Sequence, residues 1–209
     1  MEQDKDDKDG KHDKKKVSFA KRLCAYFIDI FLVSLVATLL IFPFVDSKSV
    51  TKLKDNMNQI TEDYVNGEIN EKTFLTESES INYQLAKQTG ASTFAIIIIK
   101  MLYFIVFQLY NKGQTLGKSM FKIKVVSTDG ELSTNQMILR TFMIDSILYS
   151  ILGFALMIFA SQSTYFYGML VFEIIQYIFM IICAVMMMFT KDGRGLHDLV
   201  SRTKVVEVK

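Results

Sequence analysis

Charge in this 209-residue chain is segregated rather than interspersed. Half of the residues are hydrophobic and 22% are charged, yet the charges fall into blocks with long apolar runs between them. Four such runs are each close to or above the roughly 20 residues that a helix needs to cross a bilayer. They cover about 23–45, "LCAYFIDIFLVSLVATLLIFPFV", 92–110, "STFAIIIIKMLYFIVFQLY", 136–160, "QMILRTFMIDSILYSILGFALMIFA", and 167–189, "YGMLVFEIIQYIFMIICAVMMMF". The first run is too long for a cleavable signal peptide and lacks a small-x-small site after it. The pattern predicts an all-α membrane protein, a bundle of four transmembrane helices.

The flanks predict the orientation, because Lys and Arg collect on the cytoplasmic side of short loops. Lys14, Lys15, Lys16, Lys21 and Arg22 precede the first run. Lys112, Lys118, Lys122 and Lys124 dominate the 111–135 loop, and Lys191, Arg194, Arg202, Lys204 and Lys209 dominate the C-terminal tail. The 46–91 segment reverses the balance, with eight acidic residues against five lysines, and the 161–166 turn is uncharged. A multi-pass protein with both termini in the cytoplasm fits every segment.

The segments between the runs carry their own signals. Residues 1–16, "MEQDKDDKDGKHDKKK", mix both charge signs without apolar residues, so a disordered cytoplasmic tail is expected; His12 reads as a solvated residue. In the 46–91 segment, Leu53, Met57, Ile60 and Tyr64, and then Phe74, Ile81 and Leu85, recur at helical spacing on either side of Asn66-Gly67. That predicts an extracellular hairpin of two amphipathic helices. Cys24 and Cys183 both fall in apolar runs and suggest neither a disulfide framework nor a metal site.

The stretch "NKGQTLGKSMFKIKVV", 111–126, superficially resembles a phosphate loop. That loop needs four residues between its first Gly and the Gly-Lys-Ser/Thr, whereas only Gln114, Thr115 and Leu116 stand between Gly113 and Gly117. The run before it is also too long for a strand. Phe121, Ile123 and Val125 alternate with Lys122 and Lys124, the period of a half-buried strand. A second strand-like run, "TKVVEV" at 203–208, offers it a partner, which predicts a small cytoplasmic β element with Ser133 or Thr134 capping the third spanning helix.

Ionisable residues inside apolar spans cost about 2.5–3.5 kcal/mol each on insertion scales, so they are expected to be paired or functional. Arg22 and Asp29 are seven residues apart on one face of the first span, and Arg140 and Asp145 occupy matching levels in the third. The expectation is two Arg–Asp couples with the carboxylates facing one another. Lys100 and Glu173 are expected to neutralise each other, with Gln108 and Gln176 as amide partners. Two other readings of these residues remain open: polar pairs that hold helices in register, and arginines that snorkel to headgroups.

Three stretches resemble the RDD family of bacterial membrane proteins: "FAKRLCAYFIDIFL" at 19–32, "GQTLGKSMFKIKVVSTDG" at 113–130 and "GRGLHDLVSRTKVV" at 193–206. The family's pattern of an Arg opening the first helix and an Asp within it is met by Arg22 and Asp29. Its Gly-x-Thr-x-Gly-Lys element is met by Gly113, Thr115, Gly117 and Lys118, and its closing His-Asp and Thr by His197, Asp198 and Thr203. The second family aspartate has two candidates here, Asp198 and Asp145; the closing motif favours Asp198. Bottom-up, Asp198 is expected to accept hydrogen bonds from a helix start or to pair with a cation such as Lys118. The resemblance implies a membrane domain over 17–208, with 46–91 as an insertion, in the bacterial plasma membrane.

The resemblance also implies exchange of Na⁺ or K⁺ for H⁺ in some members and accessory or regulatory roles in others. The depth of the charges within the spans makes Arg22, Asp29, Arg140 and Asp145 the ion- and proton-handling candidates, because a carboxylate about 10 Å inside a span must be protonated, paired or bathed in a water-filled cavity. Four spans leave little room for alternating access, which a homo-oligomer would relieve. The alternative is a non-transporting scaffold that binds a membrane partner protein through the 46–91 hairpin or the inner sheet. No nucleophile–base pair, cofactor motif or metal cluster is legible, so the chain is expected not to be an enzyme, and nothing points to nucleic acid.

Overall fold

The computed structural model describes residues 17–208, so the 1–16 tail with His12 and its lysines, and Lys209, lie outside the described residues. Helix α1 spans Phe19–Ile41 and ends in a tight turn at Phe42–Phe44, where Pro43 sits. Asp46 caps α2, Ser47–Val65, by accepting from the Ser49 N–H. Asn70 caps α3, Glu71–Met101, which runs through a π-helical segment at Leu102–Phe107 into α4, a last turn at Gln108–Tyr110. Short α5, Leu116–Met120, leads to strand β1, Ile123–Ser127. Then follow α6, Thr134–Ile144, α7, Ile147–Phe159, α8, Gln162–Phe189, α9, Leu196–Val200, and strand β2, Thr203–Glu207.

Among the described residues, three helices are long and apolar enough to cross a membrane: Phe19–Phe44, Glu71–Tyr110 and Gln162–Phe189. A fourth candidate, α6 with α7, is bent by 70°. This departs from the single helix expected over 136–160. The chain leaves α6 at Asp145 and turns through Ser146 in the left-handed region, φ 56°. One of the carbonyls at this break, that of Asp145, accepts from Lys100 Nζ at 3.2 Å.

The 46–91 segment also differs in one respect. Its first helix and the Asn66-Gly67 turn are present, but its second helix is continuous with the spanning run, so α3 to α4 is one rod of 40 residues. At 1.5 Å per residue that is about 60 Å, roughly twice a hydrocarbon core. Its charged first half therefore projects beyond the apolar half, with α2 packed along it and Tyr64 stacked on Phe74 at 4.6 Å.

At the opposite end β1 and β2 pair antiparallel, with Val125 opposite Val205. Ser133 starts α6 with a reciprocal capping box to Gln136, and Gln136 also donates to the Arg202 carbonyl beside the sheet. Val17, Ala25, Ile105, Ile123, Val125, Met137 and Val205 form a buried apolar cluster that joins the sheet to α1, α6 and the end of the long rod. The fold thus has a hairpin end and a sheet end.

Ser146 tests the break. A left-handed non-glycine residue costs roughly 1–2 kcal/mol. Ser146→Gly is expected to raise the unfolding free energy in detergent by about 1 kcal/mol, and Ser146→Val to lower it by more. Heat-unfolding midpoints of the two variants check this, and a less stable glycine variant speaks against a left-handed turn there.

Candidate functional site

The sheet end gathers ionisable side chains from α1, α5, α6 and α9. Asp198, on the short helix α9, is fully buried. Its carboxylate accepts from Arg22 Nη1 at 3.1 Å, contacts Arg140 Nη1 still more closely, and accepts from Thr203 Oγ1 at 3.2 Å and the Gly195 N–H at 3.4 Å. Arg140 also donates to Thr203 Oγ1 at 3.2 Å. Charge-assisted bonds of this kind are stronger than neutral ones. They tie the start of α1, the middle of α6 and the end of the chain to one point.

This corrects two expected couples. Arg22 does not pair with Asp29, and Arg140 does not pair with Asp145; both arginines converge on Asp198. Residues 193–207 fold back under the bundle and deliver a carboxylate from outside the spans, which spacing within one span does not signal. Lys118 is likewise not the cation that holds Asp198.

Asp29 is held by a different set of donors. It is fully buried in α1 and accepts from Thr115 Oγ1 at 2.5 Å, Tyr103 Oη at 2.6 Å and the Gly117 N–H at 2.8 Å. The Gly-x-Thr-x-Gly stretch does cradle an anion with hydroxyl and backbone donors, but that anion is the chain's own carboxylate. Gly117 is required by contact: a Cβ there would stand 2.2 Å from the Ala25 carbonyl and 2.9 Å from the Asp29 carboxylate. Gly113 is required by conformation, with φ 89° and its carbonyl accepting from the Val125 N–H at 2.9 Å. Tyr103 was not picked out from sequence. It lies on the π-helical segment, a feature that apolar periodicity does not signal.

Asp145 faces elsewhere. It lies at the break between α6 and α7, is 5% exposed, and makes no ion pair or side-chain hydrogen bond among the described residues. It lines a cavity of about 120 Å³ with Arg22, Lys118, Arg140, Cys183 and His197, and Phe19, Leu23 and Met187 add apolar wall. Asp29 is not part of that wall, but Asp29 and Asp145 both act on the Lys118 ammonium. Buried Gln108 donates to the Gly113 carbonyl at 3.1 Å and accepts from Lys118 Nζ at 3.4 Å. Burial of the ammonium pulls Lys118 down to about 8, against which neighbouring Asp29 works.

His197 is fully buried, with Nδ1 3.4 Å from Cys183 Sγ. Burial, then the Arg140 and Arg22 charges, hold it well below the usual imidazole range, so it is neutral at ordinary pH. Lys100 and Glu173 do not pair either. Lys100 serves the Asp145 carbonyl and Gln108 serves the 113–118 loop, while Glu173 is exposed on α8. No group of three His, Cys, Asp or Glu side chains converges as a metal site among the described residues.

Breaking a buried ion pair by removing one partner costs about 3–5 kcal/mol. Asp198→Asn is therefore expected to lower stability in detergent by that amount. Asp129→Asn, which loses only the exposed contact to Arg202 at 3.6 Å, is expected to cost under about 1 kcal/mol. Unfolding midpoints of the two variants decide; equal losses contradict the assignment of Asp198 as the buried junction.

No curated protein and no solved structure matches the chain significantly. A family model does, that of the RDD family, over residues 16–202. This interval contains Arg22, Asp29, the 113–118 loop, Arg140 and Asp198, and with its long apolar helices the chain belongs to the RDD family as an integral, multi-pass membrane protein.

Proposed function

We propose that the chain is a monovalent cation/proton exchanger of the bacterial plasma membrane, with four spans and both termini in the cytoplasm. The lysine- and arginine-rich loops at the sheet end and the acidic hairpin support that orientation. In this reading α6 and α7 together form one broken span. Broken spans with unpaired backbone at the break are a common setting for ion sites.

One observation carries the exchange reading. Asp145 is a buried carboxylate facing a cavity without a direct partner, and the cation nearest in chemistry, Lys118, holds its proton weakly. A monovalent cation and the Lys118 ammonium compete for the same carboxylate, because two like charges in one low-dielectric cavity repel strongly. Cation entry is then coupled to loss of one proton from Lys118. Asp198, Arg22 and Arg140 form the frame, and Asp29 fixes α5, which carries Lys118. No step in this scheme is catalytic.

The sign of the pH dependence follows. Below about 8 Lys118 is charged and excludes the cation; above it Lys118 is neutral and the site opens. In proteoliposomes carrying a pH-sensitive dye, Na⁺- or K⁺-driven proton flux is expected to rise as pH increases through about 8. Asp145→Asn is expected to reduce it at least about tenfold, since a neutral amide loses the charge that binds the cation. Wild-type protein that folds but carries no flux defeats this reading. It leaves the scaffold reading, which the hairpin of α2 and α3, projecting beyond the apolar half of the rod, favours.

A further inference from the structure

A second cavity lies on the hairpin side of the break, between α3, α7 and the start of α8. It holds about 220 Å³, and Thr89, Thr93, Tyr149, Ser150 and Tyr165 line it, with Met169 as apolar wall. Five hydroxyl-bearing side chains around one small volume make it polar space within apolar spans, roomy enough for water. Two of these hydroxyls have their proton committed. Thr89 Oγ1 donates to the Leu85 carbonyl at 2.8 Å, and Ser150 Oγ donates to the Ser146 carbonyl at 2.9 Å. A hydroxyl has one proton and two lone pairs, so each of them has only acceptor capacity left for an occupant of the cavity. Neutral oxygen acceptors of this kind replace the hydration shell of a monovalent cation. Glu173 on α8 lies within electrostatic reach of Tyr149, so a carboxyl group stands beside this lining.

This cavity and the one lined by Asp145 are separated at the break. On α3, Thr93 and Lys100 are seven residues and about 10 Å apart on one face, with Ile97 between them. Ile97 is buried. On the other wall Ile147, fully buried, stands between Asp145 and the pair Tyr149 and Ser150. Lys100 Nζ reaches the same level, 3.2 Å from the Asp145 carbonyl. Two isoleucines and one ammonium group thus divide the two cavities, and the ammonium repels a cation that approaches from either.

We propose that the hairpin-side cavity is a second site for a monovalent cation, the outer vestibule of the path to Asp145, and that Lys100 shuts it off from the inner cavity. The path takes its meaning from the exchange reading, but access to the cavity and its occupancy are measured without any flux. Withdrawal of the Lys100 ammonium from the Asp145 carbonyl would join the two spaces.

The test labels full-length Cys24→Ser protein with a membrane-impermeant methanethiosulfonate reagent. It is applied to intact cells or to inverted membrane vesicles, whichever an Asn66→Cys control shows to expose the hairpin. Ser150→Cys is expected to react from that side, and to react at about half the rate when Na⁺ or K⁺ half-fills the site, with choline as the blank. Cys183, on the wall of the Asp145 cavity, is expected to stay unreacted from the hairpin side and to react after Lys100→Met. Lys100→Arg, which keeps the charge at this level, is expected to leave Cys183 protected. A cooperative unfolding transition in detergent separates an opened path from a misfolded chain; if the Met variant lacks one, Lys100→Gln is read in its place. Ser150→Cys that does not react from the hairpin side, or reacts at a rate that neither cation changes, overturns the site. A folded Lys100 variant without the charge that leaves Cys183 unreacted overturns the role of Lys100. Cation-protected labelling in a protein that carries no flux upholds the cation site and sinks the exchange reading alone.

Discussion

A single carboxylate placed between two guanidinium groups organises the sheet end. Asp198 arrives from a five-residue helix near the chain's end, Arg22 from the first turn of α1, and Arg140 from the middle of α6. Each is costly to bury alone, and together they satisfy one another only if the three segments meet in one arrangement. Thr203 and the Gly195 N–H take up the remaining acceptor capacity of Asp198, and Thr203 opens β2. The sheet then follows, because β2 held at its start lies against β1, and the apolar cluster of Val125, Val205 and Ala25 closes around it.

A second buried carboxylate, Asp29, does a different job with neutral donors. Three hydrogen bonds draw the 115–117 turn onto α1 so closely that only glycine fits at position 117. With both of these acids saturated, Asp145 is left as the carboxylate lining the cavity. It sits one turn beyond Thr141 on the same face of α6, and Thr141 lines the cavity too. Lys118 reaches the same space because Asp29 holds α5 in place. The two polar junctions are thus the frame of the ionisable cavity.

The apolar runs made the membrane class and the long helices legible, since nothing but a bilayer rewards that segregation. The alternation in 121–126 and 203–208 likewise made the small sheet legible. The motifs around Arg22, Gly117 and Asp198 made the family legible. The pairing of the charges was not. Spacing along one helix suggested Arg22 with Asp29 and Arg140 with Asp145, but ion pairs form across the fold. The π-helical segment at 102–107 and the left-handed Ser146 were hidden too, because both interrupt helices without Gly or Pro. Lys100 looked like the complement of Glu173 because both lie mid-span; the break at Asp145 supplied Lys100 with a carbonyl instead.

The claim beneath all of this is that Arg22, Arg140 and Asp198 act as one unit. Double-mutant cycles measure it directly, using unfolding free energies of Arg22→Gln, Arg140→Gln and Asp198→Asn alone and in pairs. Residues of one buried network are expected to couple, here by about 2 kcal/mol for each arginine with Asp198, at the upper part of the range for contacting groups. Losses that add to within about 0.5 kcal/mol would mean the three side chains are independent, and the frame around the cavity would not exist as described.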